Sequence, residues 1–148
     1  MPNTAKLTLV TVEGEGLRFN ASTGSAQTTV VDSGAVMIAP SPVEMLLVAL
    51  AGCHAMDVIS ILRKKRQQVT GYEVDVRGER REEHPKRFTR IEMVHRLTGR
   101  ELSPEAVANA IDLSHTKYCS VQASLDPAIA VTNRFEIVPA GAHARESD

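Results

Sequence analysis

Short stretches in which apolar and polar residues alternate open this chain, and a long unbroken apolar run follows them. "KLTLVTVEG", "GLRFNAS" and "AQTTVVD" alternate between glycine-bearing breaks near Gly14–Gly16, Ser22–Gly24 and Asp32–Gly34. A period of two with turn residues at the breaks predicts short strands in an antiparallel meander. "SPVEMLLVALAGCHAMDVISIL" abandons the alternation. Ser41 can cap a helix there, Pro42 suits its first position, and Glu44 stands three after Ser41, as a capping box requires. The run stays apolar to Leu62 and closes in "RKKRQQ", basic residues at the negative end of the helix dipole, with Gly71 as the stop. Such a helix has about 27 residues and is roughly 40 Å long. It is apolar nearly all round from Val43 to Leu62, so it needs cover on most sides. One small sheet covers one side; a second helix or another subunit must supply the rest.

Two longer strands come next. "YEVDVRGERRE" puts Tyr72, Val74 and Val76 on one face, and "FTRIEMVHRL" does the same for Ile91, Met93 and Leu97. "EEHPKR" between them reads as an exposed hairpin tip. "SPEAVANAIDLSHTKY" predicts a second helix with Ser103 as cap and Pro104 at the first position. "CSVQASL" adds a helical turn and "TNRFEIV" a last strand. This order predicts an α+β fold with an antiparallel sheet and its helices on one side. Residues 1–138 are expected to form a single domain, and 139–148 a flexible tail.

Composition narrows the function classes. The chain has 148 residues, enough for a core without disulfide staples, and a formal net charge of −1. A balanced charge and 3% aromatic residues argue against nucleic-acid partners and stacking platforms. The N-terminus lacks the organisation of a signal peptide. Asp57 interrupts the apolar run, so no membrane partner is expected. With two cysteines 66 residues apart, the chain lacks a secreted disulfide framework. The expected location is the cytoplasm, where recurring disulfides tend to be catalytic.

The candidate chemistry lies in the cysteines and their neighbours. Cys53 in an apolar helix would ordinarily pack as a small hydrophobe. Gly52 beside it costs about 1 kcal/mol relative to alanine in a helix, which suggests close approach of another element or a ligand. Cys119 follows Tyr118 at a break between helical segments, where backbone N–H groups can stabilise a thiolate. His115 and Cys119 are four apart, a metal-ligand spacing to which Cys53 and His54 could add. Adjacent helical residues point about 100° apart, however, and paired zinc knuckles are missing, so no metal is expected. His54 reads as a packed or hydrogen-bonded residue, and Asp57 as a structural carboxylate held by an arginine or by backbone groups.

Together, "SPVEMLLVALAGCHAMDVISIL" and the later "KYCSVQASL" resemble the OsmC/Ohr family of osmotically inducible and organic hydroperoxide resistance proteins. The likeness covers nearly the whole chain. It implies an intertwined homodimer with a long central helix from each subunit, and no cofactor. It also implies reduction of organic hydroperoxides by thiol chemistry. Cys53 matches the peroxidatic cysteine, Cys119 the resolving cysteine that forms a disulfide with it, and an external dithiol restores both. Arg18 is the natural match to the family's thiolate-stabilising arginine. Two departures mark a divergent branch. The family's peroxidases carry a glutamate directly after the proline, where this chain has Val43 and places Glu44 one step later. Their second motif is commonly Cys-Pro, where this chain has Cys119-Ser120. The displaced glutamate favours an alternative, a dimeric stress-associated binding protein that keeps an apolar cleft without efficient turnover, whereas both retained cysteines favour the enzyme.

Overall fold

The alternating N-terminal segments form β1 (Ala5–Leu9), β2 (Arg18–Thr23) and β3 (Thr28–Asp32), antiparallel in the order β1-β2-β3. The structure is a computed structural model that describes residues 2–10 and 16–141. The expected turn at Gly14 and the expected tail beyond residue 141 lie outside the described residues. Pairing of β2 with β3 sets Arg18 directly opposite Asp32.

The long helix is α1 (Pro42–Lys64). Both arms of its capping box are made: the Ser41 N–H donates to Glu44 Oε1 and the Glu44 N–H to Ser41 Oγ, each at 3.2 Å. The helix has 23 residues and is shorter than its pattern predicts. Gly71 does not stop it. Arg66 adopts φ 57°, and the Gln67 N–H returns to the Leu62 carbonyl at 2.9 Å, which closes the last turn. Arginine here takes the left-handed conformation usually given to glycine, so the stop carries no sequence signal. By length and composition α1 could cross a bilayer, with a mean hydropathy of 2.0 over its best window, so Asp57 interrupts the run less than expected.

Contacts divide the chain into two compact units, Met1–Leu46 and Leu47–Asp148. In the second, β4 (Gln68–Arg80) and β5 (Phe88–Arg100) form an antiparallel hairpin. Half-buried Tyr72, Val74 and Val76 alternate on β4 with exposed Glu73, Asp75 and Arg77, as the period of two predicts. Gly78 is required there, because a Cβ would lie 2.4 Å from the Phe88 ring. The last strand, β6 (Ala130–Pro139), runs parallel to β5, so this sheet is mixed rather than wholly antiparallel. The helical connection between them is a crossover, long enough to bring the chain back in the same direction.

That crossover contains α2 (Pro104–Leu113), capped by Ser103, whose Oγ accepts the Ala106 N–H at 3.2 Å. The expected continuation to Tyr118 is instead a π-turn, Ser114–Tyr118, followed by the short α3 (Ser120–Ala123). Val58 and Leu62 of α1, Leu97 of β5, Leu102, and Val107, Ala110 and Ile111 of α2 make the core. Full burial of such a valine or leucine is worth about 1.5–3 kcal/mol.

Candidate functional site

The π-turn determines where Cys119 goes. One extra residue in the turn lets the Cys119 N–H donate to the Ser114 carbonyl at 2.9 Å, and Cys119 then leaves the helix with extended backbone angles. It becomes the N-cap of α3, and its Sγ accepts the Gln122 N–H at 3.3 Å. Half-buried Cys53 on α1 is near enough to the Cys119 thiol to act on its ionisation, and both cysteines are free. Residues 66 apart in sequence are thus neighbours in space.

Burial pushes the Cys119 thiol up to about 11, against the opposing effect of the Gln122 N–H and with Cys53 adding to the rise. The expected backbone donor is present, but burial outweighs it, since Cys119 is only 4% exposed. Cys119 is therefore a thiol at neutral pH.

The polar residues around the pair are all held. Asp57 accepts the Ser114 hydroxyl at 2.8 Å, so its partner is a buried serine rather than the expected arginine or backbone group. His54 has no exposure and shares a hydrogen bond of 2.6 Å with Gln122, in keeping with a packed, bonded residue. Burial pushes its pKa down. Among the described residues, no group of three or more His, Cys, Asp and Glu side chains is placed to hold a metal ion. A cavity of about 540 Å³ lies beside Cys119, lined by His115, Gln122, Leu125, Ile129 and Val131 among others. Among the described residues, the helix's own neighbouring backbone aside, nothing lies within 4 Å of where a Gly52 Cβ would stand, so no other described element makes the close approach expected there.

Arg18 belongs to the N-terminal unit, where its Nε donates to Asp32 Oδ2 at 3.0 Å. Asp32 is 2% exposed and also accepts the Gly34 N–H at 3.0 Å and the Ile38 N–H at 3.2 Å. The Gly34 N–H, helped by Arg18 and the Ile38 N–H, holds this carboxyl below its ordinary range although burial opposes it. Glu44 is engaged by Ser41, so the arginine's carboxylate partner is Asp32, which the sequence reading did not identify. Pairing of β2 with β3 was the available signal. His95, fully buried between Met93 and Leu97 on the core face of β5, was also missed, although the period of two points at it. Gln122 had no signal in the sequence.

Residues 32–134 match the family model for OsmC-like proteins. The chain is 47% identical over 126 residues to protein YhfA of Escherichia coli strain K12, covering 85% of this chain and 94% of that one. A crystal structure of a hypothetical protein from Aquifex aeolicus superposes with a TM-score of 0.81 at 29% identity, over 94% of this chain and 98% of that one. The organic hydroperoxide resistance protein OhrB of Bacillus subtilis shares the fold, with a TM-score of 0.60 at 11% identity over 90% of this chain and 98% of its own.

Proposed function

The chain belongs to the OsmC-like protein family, and on that footing we propose that it is a thiol-dependent peroxidase of organic hydroperoxides. The observation that carries this reading is the nearness of the two cysteines: Cys53 on α1 adds to the rise of the Cys119 thiol, whose Sγ is fixed at the start of α3 by the Gln122 N–H. In the first step the Cys53 thiolate attacks the O–O bond. Its sulfur becomes a sulfenic acid, and the departing alkoxide takes a proton and leaves as the alcohol. In the second step Cys119 displaces hydroxide from that sulfur. The S–S bond forms, the S–O bond breaks, and the Cys119 proton leaves with the hydroxide as water. An external dithiol then returns both thiols and is itself oxidised to a disulfide. Arg18 takes the family's role of stabilising the Cys53 thiolate, with Asp32 as its carboxylate. A homodimer is the proposed assembly, and the cytoplasm the proposed location.

Consumption of an alkyl hydroperoxide in the presence of a small dithiol tests the reading. Cys53→Ser is expected to abolish turnover, and Cys119→Ser to stop after one sulfenic acid per chain. Undiminished consumption by Cys53→Ser overturns the assignment. Val43 and the engagement of Glu44 by Ser41 favour a second reading, a binding protein without turnover. Wild-type thiols that survive the hydroperoxide would select it.

A further inference from the structure

Tyr72, His95, Asn133, His115, Gln122 and His54 form one continuous hydrogen-bonded chain of side chains in the second unit. The amide orientations of Asn133 and Gln122 set the direction of the bonds those two side chains make. Asn133 Oδ1 accepts from His95 Nε2 at 2.8 Å, and because burial disfavours a charged ring, His95 Nδ1 accepts the Tyr72 hydroxyl at 2.6 Å. Gln122 Nε2 at 3.0 Å and Asn133 Nδ2 at 3.3 Å both donate to His115 Nδ1. Gln122 Oε1 accepts from His54 Nε2 at 2.6 Å. Burial holds His54 and His95 below the ordinary imidazole range, and His54 Nδ1 is buried with no hydrogen-bond partner among the described residues. A fold that needed only a filled core would satisfy this ring better with apolar atoms.

Gln122 is the point where this chain of bonds meets the cysteines. Its side chain is clamped between His54 and His115, while its backbone N–H donates to Cys119 Sγ. It lies in α3, which has only four residues and cannot hold its shape by its own hydrogen bonds. The clamp supplies that rigidity from outside the helix. We propose that His54, His115 and Gln122 are positioning residues for Cys119, fixing the first turn of α3 so that its sulfur is held on Cys53 for disulfide formation. The proposal rests on the thiol-peroxidase reading but concerns only its second step. Attack of Cys53 on the hydroperoxide does not require Cys119, so a loosened clamp separates the two steps.

The test follows both steps in the full-length protein, with dimedone trapping of the sulfenic acid and mass spectrometry of the disulfide. Gln122→Leu is expected to form the sulfenic acid within about twofold of the wild-type rate. Disulfide formation should slow by about tenfold or more, because misplacement of a reacting atom is costly, and the trapped adduct accumulates. His54→Gln keeps an N–H for Gln122 Oε1 and is expected to behave as wild type, whereas His54→Phe should follow Gln122→Leu. If Gln122→Leu does not fold, His115→Phe carries the same expectation. Unchanged disulfide formation in a folded Gln122→Leu or His115→Phe overturns the proposal, as does equal slowing of both steps. Oxidised glutathione in place of the hydroperoxide starts the second step from a mixed disulfide on Cys53. Release of glutathione by Cys119 then reports on the clamp even where the hydroperoxide fails to oxidise Cys53.

Discussion

Cys119 differs from Cys53 in burial first, and its chemistry follows from that. Only 4% of it is exposed, its thiol is pushed up to about 11, and its sulfur already accepts a backbone N–H. At pH 8 only about one molecule in a thousand carries the Cys119 thiolate, and the thiolate is the species that alkylates. Iodoacetamide at that pH is expected to label half-buried Cys53 well before Cys119, as mapped by peptide mass spectrometry of the reduced protein. Equal or faster labelling of Cys119 contradicts this picture. Both cysteines were legible from the sequence because their surroundings are local: an apolar helix for one, a helix break for the other. Partners set by tertiary pairing were not legible. Asp32 meets Arg18 only because β2 and β3 pair in one register, and Gln122 reaches His54 across 68 residues.

The elements that hold the site store their specificity in neutral histidines. His54 on α1 and His95 on β5 are both held below the ordinary imidazole range, chiefly by burial. Around His54, the neighbouring His95 and His115 rings oppose a further positive charge, while Asp57 and the Gln122 carboxamide partly favour it. The folded state thus binds these protons less readily than the unfolded chain. Their contribution to stability is complete above pH of about 6.5 and is lost as the pH falls from there toward the folded values. The slope approaches about 1.4 kcal/mol per pH unit for each ring. Urea unfolding between pH 7.5 and pH 5.5 should show stability falling on acidification, with a shallower fall in His54→Gln. Constant or rising stability contradicts it. At this scale the capping signals of α1 and α2 and the alternation in β4 and β5 were read correctly. The end of α1 and the π-turn were not, because a positive φ at Arg66 and one extra residue in a turn leave no mark on composition.

The whole molecule turns on how much of α1 the chain covers. Only 28% of its most apolar window is buried, with Val48 55% and Met56 72% exposed. Val48, Gly52 and Met56 stand four residues apart, on one stripe of the helix, and Gly52 leaves open space. A second copy of the chain is the cover proposed above. Light scattering behind size exclusion should give twice the chain mass, and Met56→Asp should shift the protein toward the monomer. A monomeric wild type at micromolar concentration contradicts that assembly. The α+β class and the family were legible from the apolar run and the two cysteine motifs alone. The parallel return of β6 was not, because a strand's direction depends on the crossover before it.

The central claim is that Cys53 and Cys119 form a redox pair driven by an organic hydroperoxide. The reduced protein, mixed with one equivalent of an alkyl hydroperoxide, tests it most directly by thiol titration and disulfide mapping. Rapid loss of both thiols with a single Cys53–Cys119 link is the predicted result; thiols that persist through prolonged exposure would contradict it.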